Sequence, residues 1–249
     1  MIDLSKIQEA KKLLKQYFGY DEFRQGQEQL IEAALNGQDV LGIMPTGAGK
    51  SLCFQIPALM MDGITLVISP LISLMKDQVG TLNQAGIHAA FLNSSLTQGQ
   101  YHTALKYAMQ GRYKIIYVAP ERLETEGFIN FALNSGVKIS MLAVDEAHCV
   151  SQWGQDFRPS YLKILEFLKK LPYRPVLTAY TATATVEVRD DIMDILNLRD
   201  PFVLTTGFDR ENLYYAVKRP RDKYRELLSY LKEKEEKIAR KQRDHLLFI

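Results

Sequence analysis

The chain has 249 residues, 47% of them hydrophobic, with 15 Gly, 9 Pro and 2 Cys. That content buries one sizeable core and the beginning of a second, and it excludes a disordered chain. The formal net charge of +2 excludes binding through bulk positive charge: residues 218–244 hold eleven Lys/Arg against six Asp/Glu, leaving twenty against twenty-three elsewhere, so the excess reads as a solvated helical tail.

No apolar run is long enough to span a bilayer, and the first residues lack a basic segment followed by an apolar one. A cytoplasmic protein without a membrane is expected. Cys53 and Cys149 stand at neither disulfide nor zinc spacing and predict two free thiols.

In chain order, residues 4–18 place Leu4, Ile7, Leu14 and Phe18 on one helical stripe, and residues 27–35 predict a second helix stopped by Asn36-Gly37. Apolar runs at residues 40–44, 64–69, 89–92, 115–119, 139–144 and 176–180 read as buried parallel strands. Helical periodicity at residues 71–85, 97–110, 161–170 and 186–196 supplies right-handed crossovers. The alternation predicts an α/β fold with a doubly wound, mostly parallel sheet, whose ligands lie beyond the strands' C-terminal ends.

Met44-Pro-Thr-Gly-Ala-Gly-Lys-Ser51 falls between the first predicted strand and a helix, the context of a phosphate-binding P-loop. Gly47 and Gly49 let the backbone curl so that successive N–H groups face phosphate oxygens, which makes Thr46, Gly47, Ala48 and Gly49 candidate contacts to ATP. Lys50 offers a point charge to the β/γ-phosphates, and Ser51 a hydroxyl to Mg²⁺. Met44 stands where the strict pattern has Gly; a glycine-rich turn that merely starts a helix is the alternative.

Asp145-Glu146-Ala147-His148 ends the strand predicted at residues 139–144. Acids at such an edge are costly unless they serve a cation. Asp145 suits Mg²⁺, and Glu146 suits the proton of a water that attacks the γ-phosphate, so Lys50, Asp145 and Glu146 are the catalytic candidates. His148 either joins that chemistry or is a surface or capping histidine.

These motifs together resemble the RecQ branch of superfamily-two DNA helicases, over roughly residues 17–217. Phe18-Gly-Tyr20, Phe23-Arg24 and Gly26-Gln27 resemble that family's upstream nucleotide motif. The resemblance implies that Tyr20 stacks on adenine while Arg24 and Gln27 contact its edge and the phosphates; by themselves, Tyr20 and Phe23 also read as core aromatics between two helices. Ser69-Pro-Leu-Ile-Ser-Leu-Met-Lys-Asp-Gln78 and Val118-Ala-Pro-Glu-Arg122 are similar to the family's strand-contacting motifs, implying DNA contacts at Ser69, Pro120 and Arg122. Either segment alone also reads as ordinary strand-to-helix punctuation.

Ala147-His-Cys-Val-Ser-Gln-Trp-Gly-Gln-Asp-Phe-Arg-Pro159 resembles the aromatic-rich loop of RecQ proteins and holds the chain's one Trp. It implies that Trp153, Phe157 and Arg158 engage single-stranded DNA next to Glu146, against the alternative of Trp153 as a core anchor of the loop. Gln155 stands where many relatives have His. Thr178-Ala-Tyr-Thr-Ala-Thr183 resembles the motif that links hydrolysis to movement, giving His148, Thr181 and Thr183 a coupling role, while Thr185 can cap the next helix. Arg189, Asp190 and Asp191 read as a solvated helix face.

The resemblance implies an ATP- and Mg²⁺-dependent 3′-to-5′ DNA helicase motor for recombination and repair, working as a monomer on single-stranded and forked DNA, at the nucleoid if bacterial. It divides the chain into N-terminal helices with the adenine motif (residues 1–36), a RecA-like ATP-binding domain (37–207) and a linker with the start of a second RecA-like domain (208–249). Phe208-Asp-Arg-Glu-Asn-Leu213 resembles the beginning of that second domain and residues 221–234 its first helix. The arginine that the family supplies from there, like its zinc and winged-helix regions, has no counterpart, so the chain is expected to bind ATP and DNA, hydrolyse feebly and unwind little or nothing. Residues 238–249 depart from the family pattern, as a shifted reading frame or a truncation would make them. A non-catalytic ATP- and DNA-binding module is the second reading; an RNA helicase is disfavoured by the Trp153, Phe157 and Arg158 loop and by the motif at residues 18–27.

Overall fold

The computed structural model describes residues 4–154, 156–207 and 217–246. The chain divides into two compact units, Met1–Phe208 and Asp209–Ile249. The Phe208 to Leu213 segment and Gln155 lie outside the described residues.

The first unit begins with α1 (Leu4–Leu13), a π-helical turn (Leu14–Phe18) and α2 (Gln27–Leu35). The single helix expected over residues 4–18 therefore changes winding in its last turn and ends on Gly19, whose φ is 76° and whose N–H reaches the Lys15 carbonyl. The sheet strands are β1 (Val40–Ile43), β2 (Ile64–Ile68), β3 (Ala89–Leu92), β4 (Ile115–Val118), β5 (Ile139–Val144), β6 (Val176–Thr181) and β7 (Phe202–Thr205). They lie in the order β3-β4-β2-β5-β6-β1-β7, and every pairing is parallel. The doubly wound expectation holds, with a fully parallel sheet.

Alternation along the strands divides the core between two faces. Val40, Val67, Tyr117, Ala143 and Tyr180 pack with α2, α3 (Leu52–Met60) and α4 (Ile72–Gln84). Leu41, Ile43, Leu66, Leu142 and Val144 pack with α5 (Gln98–Met109), α6 (Glu126–Asn134), α7 (Lys163–Lys170) and α8 (Val186–Ile195). Each fully buried Val, Leu or Ile side chain among them contributes about 1.5–3 kcal/mol of transfer free energy. In the second unit, α9 (Lys223–Leu246) continues the helix expected over residues 221–234 through the charged tail.

Two elements escaped the sequence pattern. α6 starts four residues after the short turn Pro120–Arg122 ends, between two predicted strands, in a segment that is not among the helices expected from sequence. β7 is a four-residue edge strand, half-exposed along its length, and its apolar run is only Phe202-Val203-Leu204, too short to stand out as a buried strand. Asp39 fastens it: the buried carboxylate accepts from the Arg174 guanidinium, from Leu177 N–H at 3.0 Å and from Arg199 N–H at 2.7 Å. Its carbonyl takes Phe202 N–H at 2.7 Å.

Candidate active site

Because the strands are parallel, β1 and β5 leave the sheet on the same edge, with β6 between them. After β1 the chain turns through residues 44–51 into α3. Gly47 and Gly49 take φ of 86° and 83°, and a Cβ on Gly49 would lie 2.4 Å from Gln27 Nε2. A side chain at that φ is strained, and its Cβ would displace the Gln27 amide. Lys50 Nζ donates to the Met44 carbonyl at 3.2 Å, so the ammonium lies over its own loop.

The upstream motif meets this loop directly. Gln27 is buried; its amide donates to the Ala48 carbonyl at 3.1 Å and the Gly49 carbonyl at 3.0 Å, while Oε1 accepts Arg24 N–H at 2.8 Å. Arg24 gives its guanidinium to the Gly47 carbonyl. Both residues thus brace the turn's backbone, a use that the implied adenine contact did not include. Tyr20 is 50% exposed, which removes the core-aromatic reading for it, whereas Phe23 packs against the cluster of α1, α2 and α3. A cavity of about 210 Å³ opens here, lined among others by Phe18, Tyr20, Arg24, Ser51, Gln55 and Gln78. Gln55 Nε2 donates to Gln78 Oε1 at 2.9 Å and to the Tyr117 hydroxyl at 3.0 Å. This link between α3, α4 and β4 had no signal in spacing.

Asp145 leaves β5 buried, its N–H donating to the Ile68 carbonyl at 2.8 Å. Burial, and then the Glu146 charge, push its carboxyl up to about 6; Glu146 N–H, Lys50 and Ser69 pull the other way. The influence of Lys50 on Asp145 puts the two motifs within electrostatic reach of each other. Tyr161, another residue the sequence did not mark, supports the acid through a hydroxyl bond to the Asp145 carbonyl at 3.0 Å. Glu146 sits at φ 48°, a left-handed backbone that is uncommon outside glycine and is characteristic of functional sites. His148 Nδ1 lies 2.9 Å from Thr181 Oγ1 and 3.4 Å from Glu146 Oε2, and Thr181 Oγ1 donates to the Thr183 carbonyl at 3.1 Å. Thr185 caps α8 through Val188 N–H. The histidine is therefore neither a surface nor a capping residue, and the threonine segment both bonds the acidic motif and caps the helix.

Residues 24–192 match the family described as DEAD/DEAH box helicase. The chain belongs to that family. It is 47% identical over 226 residues to the ATP-dependent DNA helicase RecQ of Bacillus subtilis, covering 90% of this chain and 38% of the relative. It is 51% identical over 217 residues to RecQ of Haemophilus influenzae, covering 86% and 35%. The chain thus spans little more than a third of those relatives. The crystal structure of the Pyrococcus furiosus Hef helicase domain shares the fold, with a TM-score of 0.54 at 20% identity over 73% of this chain and 38% of that one.

The other segments singled out in this helicase sequence divide by exposure. Ser69 and Pro120 are buried, so the surface at their positions is backbone and neighbouring side chains. Arg122 is half-buried, donates to the Asn93 carbonyl at 3.0 Å and lies over the Tyr101 ring at 4.9 Å. Trp153 is 78% exposed, which overturns the core-anchor reading. Arg158 reaches the Pro70 carbonyl at 3.2 Å and pairs with Asp156, joining the aromatic loop to the segment after β2; Phe157 is half-buried. Asp191, read as solvated, accepts the Ser151 hydroxyl at 2.6 Å. Both cysteines are free and buried. No helix among the described residues is long and apolar enough to cross a membrane.

Proposed function

We propose that this chain is the ATP- and Mg²⁺-dependent motor domain of a 3′-to-5′ DNA helicase of RecQ type, serving recombination and repair as a cytoplasmic monomer, nucleoid-associated if bacterial. Residues 37–207 form its RecA-like ATP-binding domain, residues 1–36 carry the adenine motif and residues 208–249 lead toward a second motor domain. The observation that carries this reading is the P-loop after β1 and the Asp145–Glu146 pair after β5 on one sheet edge, with Lys50 close enough to lower the Asp145 pKa.

The donor set fits Mg²⁺ brought by a nucleotide. Among the described residues no group of three or more His, Cys, Asp or Glu could hold a metal ion, and Mg²⁺ on phosphates needs only one or two protein ligands. Ser51 and Asp145 would hold it, and the cation supplies charge neutralisation to the phosphates. A carboxyl that burial keeps at about 6 gains most from such a partner.

Loop N–H groups of Thr46 to Gly49 and the Lys50 ammonium hold the triphosphate, and Tyr20 stacks on the base with Arg24 and Gln27 beside it. Glu146 orients the attacking water and takes its proton; His148, Thr181 and Thr183 link that acid to β6. Trp153, Phe157 and Arg158 form the contact to single-stranded and forked DNA, flanked by the segments at Ser69, Pro120 and Arg122. An arginine supplied across a domain cleft is worth about 10³–10⁵ in rate in motors of this kind.

Labelled single-stranded DNA and RNA of the same sequence, titrated with the chain and followed by anisotropy, test the substrate class. Tighter binding of DNA is expected; equal or tighter binding of RNA contradicts it.

A further inference from the structure

Ser151 joins the aromatic turn to α8. Its side chain is fully buried; the hydroxyl donates to Asp191 Oδ2 at 2.6 Å, and the same oxygen accepts Trp153 N–H at 3.1 Å. A hydroxyl has one proton. Giving it to Asp191 leaves a lone pair for the turn's backbone, so the carboxylate fixes the direction in which Ser151 holds Trp153. The neighbouring Asp190 pairs with Arg189 in solvent, which leaves Asp191 as the acid turned inward.

The turn also rests on His148. Ser151 N–H donates to the His148 carbonyl at 3.2 Å and Gly154 N–H to the Ser151 carbonyl at 3.0 Å. A Cβ on Gly154 would lie 2.2 Å from the His148 oxygen, so the turn closes directly over that residue. Yet a cavity of about 330 Å³ separates it from the start of α8, lined by His148, Trp153, Thr183, Thr185 and Val188 among others. Packing alone does not hold a turn beside such a space. The bond to Asp191 spans from the turn to the helix.

We propose that Asp191 is a positioning residue: through Ser151 it holds the Trp153 turn against His148, so that what loads on Trp153 is transmitted to the ring lying between Glu146 and Thr181. The transmission rests on the DNA-binding reading of Trp153 above; the tether does not.

Trp153 is the chain's one tryptophan, so its time-resolved fluorescence anisotropy reports this turn alone. Without nucleic acid, Asp191→Ala and Ser151→Ala are each expected to raise the amplitude of fast Trp153 motion at least about twofold, with no further gain in the double variant. Asp191→Asn, which keeps an acceptor, stays near the wild type. A folded Asp191→Ala chain with wild-type anisotropy overturns the proposal; should that variant not fold, Ser151→Ala, which removes one oxygen, decides the matter by the same measurement.

A second arm measures the change in ATP affinity produced by a single-stranded DNA oligonucleotide. In Asp191→Ala this change is expected to vanish while ATP affinity without DNA is kept; undiminished coupling overturns the transmission. An oligonucleotide that leaves wild-type Trp153 emission unmoved contradicts the DNA reading of the loop, and the anisotropy arm still decides the tether.

Discussion

Thr181 Oγ1 lies 2.9 Å from His148 Nδ1 while donating its own proton to the Thr183 carbonyl at 3.1 Å. Its single proton is committed there, so the histidine is the donor in the pair and carries hydrogen on Nδ1. The same nitrogen is 3.4 Å from Glu146 Oε2. One ring thereby joins the end of β6 to the acid after β5, and the threonine that orients it stands beside the phosphate loop, whose Met44 N–H donates to the Thr181 carbonyl at 3.0 Å.

Thr181→Val keeps the shape and removes that acceptor. A hydrogen bond to an ionisable group is worth about 1.5 kcal/mol, or roughly tenfold in rate. DNA-dependent ATP turnover is expected to fall by about that factor with ATP affinity unchanged. Steady-state turnover beside equilibrium nucleotide binding separates the two; an equal loss in both would assign Thr181 to binding instead.

Asp145 trades stability for function. Its pKa is raised from 3.8 to about 6 in the folded protein, so the folded state binds the proton more tightly than the unfolded chain. The stability this gives is full below pH 3.8 and is lost as pH rises through about 6; above that, the buried ionised carboxyl costs on the order of 2–3 kcal/mol. Asp145→Asn is expected to raise Tm by several degrees at pH 8, to change it little near pH 4, and to abolish Mg²⁺-dependent strengthening of ATP binding. Melting curves at the two pH values check the sign.

Trp153 touches solvent over most of its surface, so Trp153→Ala should move stability by less than about 0.5 kcal/mol. Affinity for single-stranded DNA should nevertheless fall by about 1–3 kcal/mol, the worth of one stacked base. A thermal melt and an oligonucleotide titration on the same preparation distinguish a binding side chain from a structural one.

The buried strands and the phosphate loop were legible because each is a local pattern: a short apolar run, or glycines between a strand and a helix. β7 was not, since its run of three apolar residues is short and its place depends on Asp39, far from it in sequence and shaped like a turn residue. The bracing of the loop by Gln27 and Arg24 was equally hidden. Their residue types suit a nucleotide contact, and only their bonds to the carbonyls of Gly47, Ala48 and Gly49 show that they also hold backbone. Asp191 read as solvent-facing because Asp190 beside it is; which of two adjacent acids turns inward depends on Ser151, forty residues earlier in the chain. Helical periodicity does not contain that information.

A motor of this kind requires one loop to hold a triphosphate beside Asp145. Calorimetric titration of ATP with and without Mg²⁺, on the wild type and on Lys50→Ala, tests this most directly. Binding that Mg²⁺ strengthens, and that Lys50→Ala weakens by about tenfold or more with the fold intact, is the result expected for loss of a charge-assisted contact. A wild type that binds no ATP, or a Lys50→Ala chain that binds it equally well, would contradict the assignment.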